Sequence, residues 1–238
     1  MLTPISLQGT QLELLPEKAA FSPELETLFV SDVHLGKSET FQQFGIPIPN
    51  QVNDATLQRL KQARDRTGAS QVFILGDLFH GPAGLVDEVI DGWLRFLNVT
   101  QLEAHLILGN HDRALLDRLS QLSLTCYTQP IQYGAWVLSH EPLPVTAGIT
   151  SDKTEHLTEG IDNSINICGH VHPCVRLGGK GDRMRLPCFY WEPNFQRLTL
   201  PSFGDFTGGY TVSLGRRANA TAYVIAENAV IPFTSSEV

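Results

Sequence analysis

Five short apolar runs, each ending in a residue able to ligate a metal, constrain this chain's fold more than any other feature. Thr27-Leu28-Phe29-Val30-Ser31 leads to Asp32 and His34. Val72-Phe73-Ile74-Leu75-Gly76 delivers Asp77, and Leu106-Ile107-Leu108-Gly109 delivers Asn110, His111 and Asp112. Trp136-Val137-Leu138-Ser139 delivers His140, and Ile165-Asn166-Ile167-Cys168-Gly169 delivers His170 and His172. Runs of this length read as buried strands, and strands whose ends all turn polar describe a sheet with one shared site at its edge.

The residues between these runs set the fold class. The first 26 residues, broken by Pro4, Pro16 and Pro23, read as an edge strand or hairpin leading into a strand at about 27–31. Gly36, Gly45, Pro47 and Pro49 mark 35–50 as a long loop at the mouth of the site. Val52, Leu57, Leu60 and Ala63 predict a helix over about 52–66, stopped by Gly68. After a strand at 71–75, rows of apolar residues through Leu85, Val89, Trp93 and Leu97 predict a helix over about 84–97. A strand at 104–108 and a short helix over Arg113 to Leu122 follow. Beyond that the chain reads mostly as strands: around 130–139, then 174–178, 184–191, 195–200, 210–214 and 221–226. A loop at 141–163 holds a helical turn near Asp152 to Leu157. A βαβα half followed by a β-rich half predicts two mixed sheets packed face to face with helices outside, a four-layer αββα sandwich. With neither repeat nor linker in the sequence, residues 1–238 read as one domain.

Composition excludes some functions. No stretch approaches the roughly 20 apolar residues of a membrane span. Met1 to Lys18 lacks the basic start and apolar centre of a secretory signal, so a cytoplasmic protein without membrane contact is expected. The net charge of −8 argues against a broadly basic DNA-binding surface. Several of the carboxylates, however, belong to the proposed site, where divalent ions would bring positive charge to an incoming phosphate. Cys126, Cys168, Cys174 and Cys188 lack the spacing of a zinc site and read as buried small side chains.

A mixture of carboxylate, amide and imidazole suits Mn, Fe or Zn. Asp77, alone at its strand end, is the natural bridge between two ions. Asp32, His34 and one of His170 and His172 complete one ion; Asn110, His140 and the other histidine complete the second.

Together the blocks Asp32-x-His34, Gly76-Asp77, Gly109-Asn110-His111-Asp112, His140 and Gly169-His170-x-His172 resemble the signature of the calcineurin-like metallophosphoesterases. The resemblance implies Asp32, His34, Asp77 and His172 on one metal, and Asp77, Asn110, His140 and His170 on the other. It implies His111 as general acid or phosphate contact, with Asp112 orienting it. The residue that often follows the Gly-Asp block is represented by His80. Three longer strings are similar to the DNA-ligase-associated members of that family. They run from Ser31 to Lys37, from Phe44 to Pro49, and from Leu200 through Phe203, Phe206 and Gly208 to Gly209. That likeness implies manganese, DNA as substrate in DNA repair, endonuclease or end-processing activity, and a DNA ligase and a helicase as partners.

The expected mechanism is in-line attack on phosphorus by a metal-bridging hydroxide, with His111 serving the leaving oxygen. Lys37 and Arg113 are candidate phosphate contacts, weighed against a solvated lysine and a helical Arg113–Asp117 pair. Phe203 and Phe206 read as turn packing, and His105 and His156 as surface or packing residues. Alternative functions are a phosphodiesterase for small nucleotides or lipid precursors, and a non-catalytic docking subunit of a ligase-containing complex.

Overall fold

Strands flanked on both faces by protein cannot alternate apolar with polar, and the central runs of this chain do not. In the computed structural model, which describes residues 2–49, 51–144, 164–178, 184–205, 207–214 and 219–234, they split their side chains between two cores. A seven-stranded sheet holds β1 (Thr3–Leu7), β2 (Thr10–Leu14), β3 (Ala20–Ser22), β4 (Thr27–Val30), β5 (Gln71–Leu75), β6 (Glu103–Ile107) and β7 (Thr125–Tyr127), in that order. Its first strands pair antiparallel, and β4 to β7 run parallel. Leu28, Val30, Val72, Ile74 and Leu106 face a helical layer, while Phe29, Phe73, Leu75 and Ile107 face the second sheet.

The second sheet is nine-stranded: β8 (Ile131–Tyr133), β9 (Trp136–Leu138), β10 (Ile165–Cys168), β11 (Pro173–Leu177), β12 (Met184–Glu192), β13 (Arg197–Thr199), β14 (Tyr210–Thr211), β15 (Thr221–Ala226) and β16 (Ala229–Phe233). Its main order is β14-β11-β12-β13-β10-β9-β8, with β15 antiparallel to both β12 and β16. Trp136, Leu138, Ile165, Ile167, Phe189 and Leu198 meet the first sheet in a shared apolar core. On the far face, Val175, Cys188, Ala222 and Val224 gather under Leu214 and Val212. These are the two mixed sheets, with helices outside, that the sequence predicts.

Among the described residues the α-helices are α1 (Lys37–Gln43), α2 (Val52–Thr67), α3 (Asp87–Thr100) and α4 (Leu116–Leu119), all from the first half. Leu57, Leu60 and Ala63 of α2 and Val89, Trp93 and Phe96 of α3 bury against the first sheet. The Trp93 indole N–H donates to the Leu122 carbonyl at 2.9 Å, which fixes the chain after α4 beneath α3.

Three expectations are corrected. The 35–50 stretch is not all loop, because Lys37-Ser38-Glu39-Thr40-Phe41-Gln42-Gln43 forms α1. Residues Arg113 to Leu122 form a 3-10 turn over Asp112–Leu115 and then the single turn of α4. The strand β16 was not expected; among the described residues it pairs with β15 alone, and an edge strand of that kind tolerates Pro232. The turn expected near Asp152 to Leu157, His156 and Phe206 lie outside the described residues.

Candidate metal centre

The parallel register brings β4, β5 and β6 to a common level, with Phe29 opposite Phe73 and Phe73 opposite His105. The chain leaving β4 then continues beside the chain leaving β5. The Asp32 N–H donates to the Gly76 carbonyl at 3.0 Å, and the His34 N–H donates to the Asp77 carbonyl at 2.9 Å. In the second sheet β9 and β10 are parallel neighbours, and the Gly169 N–H donates to the His140 carbonyl at 2.9 Å. The Pro201–Gly204 segment joins the two sheets at this edge: Phe203 and Gly204 donate their N–H groups to the carbonyls of Ser31 and Asp32 at 2.8 and 2.9 Å. The string that resembles the ligase-associated family is therefore a backbone staple beside Asp32. Phe203 is fully buried under the Arg59 guanidinium, 5.0 Å from its ring centre.

At these strand ends the chain bends sharply. Asp32, His34, Asp77, His170 and His172 all have φ between 53° and 67°, a region that costs a non-glycine residue about 1–2 kcal/mol. Such strain at five ligand-type residues persists because the surrounding hydrogen bonds over-determine it. Two glycines permit the close approach. A Cβ on Gly76 would overlap the His140 ring, and one on Gly109 would overlap the Asp77 carboxylate.

Among the described residues three overlapping sets of donor atoms result, each with all members within 4.8 Å of one another: Asp32, His34 and His172; Asp32, Asp77 and His140; and His34, His80 and His111. His140 Nε2 lies 3.0 Å from Asn110 Oδ1, 3.1 Å from His170 Nδ1 and 3.7 Å from Asp77 Oδ2. His172 Nε2 lies 3.0 Å from Asp32 Oδ1. The rings are oriented from behind. His140 Nδ1–H donates to the Leu75 carbonyl at 2.9 Å, and His172 Nδ1–H donates to the Gly208 carbonyl at 3.0 Å. With its Nδ1–H so committed, a neutral His140 presents its Nε2 lone pair to oxygen atoms that are themselves acceptors. Asp32 Oδ1, fully buried, is approached by no donor except His172 Nε2. Acceptors crowded together without protons repel one another unless a cation lies among them, so the residues fit divalent ions.

The charges agree with this. Burial pushes His34 down to about 3, which keeps its imidazole in the neutral, ligating form. Burial alone would raise Asp32, but the hydrogen bond and charge of His172, with help from His140 and His34, hold its carboxyl below the usual range. Burial and the neighbouring Asp77 charge raise Asp112 to about 6, against hydrogen bonds from Gly109, Phe79 and Asp77.

His111 is held differently from the expectation. Its Nδ1–H donates to the His80 carbonyl at 2.7 Å, and its ring stacks on that of His80 at 5.0 Å. Asp112 does not hold the ring. Its Oδ2 accepts the N–H groups of Asp77 and Gly109 at 2.7 and 3.0 Å, and its Oδ1 accepts that of Phe79 at 3.2 Å. Asp112 thus fixes the turns that carry Asp77 and Asn110, because a buried carboxylate next to three unpaired N–H groups satisfies them first. His111 Nε2 faces Asp77 Oδ2 at 4.0 Å, at the rim of the cluster. His80, left without a role by the sequence, both anchors His111 and belongs to the third donor set. The only sequence signal for it is its position three residues after Asp77.

Lys37 opens α1 beside the cluster. Burial lowers its pKa, its charge acts on His34, His80 and His172, and its Nζ lies 5.9 Å from the Phe41 ring centre. Arg113 is exposed just beyond Asp112, and no Arg113–Asp117 pair forms. His105 stacks on Phe73 at 4.4 Å, a packing role. Cys168, Cys174 and Cys188 are buried and Cys126 half-buried, all as free thiols, and burial pushes Cys168 up to about 12, which removes it from nucleophilic chemistry.

Comparison with known proteins follows the same lines. The calcineurin-like phosphoesterase family matches residues 25–137, which include the blocks from Asp32 to Asp112. No curated protein sequence matches the chain. Among solved structures, a nuclease named MPE from Pseudomonas putida is 29% identical, covers 98% of this chain and 100% of its own, and has a TM-score of 0.77. The phosphoesterase Yfce from E. coli is 18% identical over 87% of this chain and 98% of its own, with a TM-score of 0.44.

Proposed function

We propose that the chain is a calcineurin-like, metal-dependent phosphoesterase that binds two divalent ions, manganese by preference, and cleaves phosphodiester bonds in DNA. The observation that carries the metal chemistry is the buried cluster of carboxylate, amide and imidazole donor atoms around Asp32 and Asp77. Asp32, His34, Asp77 and His172 would hold one ion, and Asp77, Asn110, His140 and His170 the other. Such ions, when bound, acidify water and neutralise phosphate charge.

The chain's own residues do the rest. His111, with Nδ1 committed to the His80 carbonyl, presents Nε2 to the leaving oxygen, where it donates a proton or a hydrogen bond. Asp112 acts as a positioning residue for Asp77 and Gly109 rather than for the acid. Lys37, without a carboxylate partner among the described residues, contacts a non-bridging phosphate oxygen from the α1 side, and Arg113 does so from the other.

DNA as the substrate is supported by the likeness to the Pseudomonas putida nuclease over nearly the whole chain. A single catalytic domain, a cytoplasmic location, a part in DNA repair and association with a ligase and a helicase belong to this reading. The test is turnover by manganese-loaded protein of nicked, single-stranded and 3′-phosphorylated DNA beside a chromogenic phosphodiester. Cleavage of the chromogenic ester without any DNA product would redirect the assignment to small phosphodiesters. Turnover of none of them would leave docking as the function.

A further inference from the structure

The acidic net charge leaves a question about where a polynucleotide would lie. We infer that the β11–β12 hairpin carries an arginine pair, Arg176 and Arg185, that grips the polynucleotide backbone several phosphates away from the cleaved one. This inference rests on the nuclease reading above and extends it to a defined surface.

Directly opposite residues of antiparallel strands share one face of the sheet, and Arg176 stands opposite Arg185 as Cys174 stands opposite Pro187. Both arginines are exposed, and among the described residues neither has an ion-pair partner. Like charges directly opposite one another cost stability unless an anion lies across them. The intervening hydrophobic side chains Val175 and Leu186 point the other way, into the apolar cluster under Leu214, so the hairpin cannot turn the arginines inward.

Their face also leads to the metal centre. A cavity of about 300 Å³ opens beside His172 and is lined by Cys174, Pro187, Arg185, Gly208, Lys18 and Asp205. Lys18 and Arg59 share the Asp205 carboxylate at 3.2 Å each, so on that side of the cavity the cations are paired and one positive charge is left over. Both sides of the cavity are therefore net positive, and the cations without a carboxylate partner among the described residues lie on the arginine side. The path begins at His172, one of the ligand-type residues, and ends at Arg176 four residues along an extended strand, roughly 13 Å away. A small diester filling the metal centre does not span that distance, whereas a polynucleotide presents a phosphate at each step along it. The guanidinium fork, with its bidentate geometry, suits a phosphate better than a lysine would. Phosphate contacts of this kind position a chain without reading its sequence.

The experiment compares the wild type with the double variant Arg176→Gln/Arg185→Gln, both loaded with manganese. Substrates are a chromogenic phosphodiester, a dinucleotide, and a single-stranded oligonucleotide of about 20 residues as DNA and as RNA, each from 0.05 to 0.4 M salt. Each lost phosphate contact lowers the salt slope of log K by about 0.7, so two contacts weaken oligonucleotide binding about 25-fold at 0.1 M salt. The expected result is that weakening in KM and in fluorescence anisotropy, a shallower salt slope, and unchanged turnover of the chromogenic ester and the dinucleotide. Equal binding and equal salt slopes in both proteins would overturn the arginine pair while leaving the nuclease reading intact. A wild type that hydrolyses the chromogenic ester and neither binds nor cuts an oligonucleotide would overturn both. Loss of turnover on every substrate alike would also count against the pair, since it would mark a structural role.

Discussion

Replacing Gly76 by alanine tests the physical account of the site most directly. Gly76 has φ of 83°, so an alanine there carries about 1–2 kcal/mol of backbone strain. Its Cβ would also overlap Nδ1 and Cγ of His140, a ring buried to 5% exposure and held by the Leu75 carbonyl at 2.9 Å. The ring must move, which breaks a buried hydrogen bond at about 1–3 kcal/mol and strains a packed core by a similar amount. The total destabilisation is on the order of 5 kcal/mol, a fall in Tm of roughly 10–20 °C for a chain of this size. Because His140 Nε2 is the point where Asn110, His170 and Asp77 converge, manganese affinity falls by about 10- to 100-fold. The control is Gly68→Ala, at the end of α2. Gly68 has φ of 72° but nothing within 4 Å of an added Cβ, so it isolates the backbone term. It should lose about 1–2 kcal/mol and bind manganese as the wild type does. Calorimetric metal titration and thermal melts of both variants, with and without manganese, decide the matter. If Gly76→Ala matches Gly68→Ala in melting and in metal affinity, the ring overlap is irrelevant and the account of His140 fails.

Three further outcomes are expected. Asp77→Asn loses bound metal and activity together, measured by metal analysis and chromogenic turnover; activity persisting in metal-stripped Asp77→Asn would sink the two-metal reading. His111→Ala retains its metal but loses on the order of 10²-fold or more in rate on substrates with poor leaving groups, and less on the chromogenic ester, whose leaving oxygen needs no proton. In metal-free protein, Asp112→Asn should show a pH signature in its melts. Asp112 is raised to about 6 in the fold, so the carboxyl adds stability to the wild type below about pH 4 and that stability is lost as pH rises through 6. The stability of Asp112→Asn relative to wild type should therefore improve between pH 4 and pH 7, by about 3 kcal/mol at most. A constant difference across that range would show that Asp112 titrates like an ordinary carboxyl.

Much of this molecule was legible in its residues, and the reasons are local. The helix periodicity from Val52 and the apolar rows around Trp93 place α2 and α3 within a few residues of where they stand, because burial on one face is written in side-chain type. The short α1 was hidden because Gly36 and Gly45 at its ends outweigh seven residues with little apolar character. The edge strand β16 was hidden for a related reason, since its Pro232 argues against a strand until its single neighbour is known.

The sequence by itself determined which side chains could meet: acids, amides and imidazoles at the ends of five apolar runs, with glycines beside them. Tertiary structure alone decided how they are held. The carbonyls of Leu75, His80 and Gly208 orient His140, His111 and His172, and Asp112 turns toward backbone N–H groups instead of His111. Every residue type carries the same backbone carbonyl, so no sequence pattern marks these partners. The placement of Arg176 opposite Arg185 is of the same kind, for strand register depends on the whole sheet and not on the two residues it brings together.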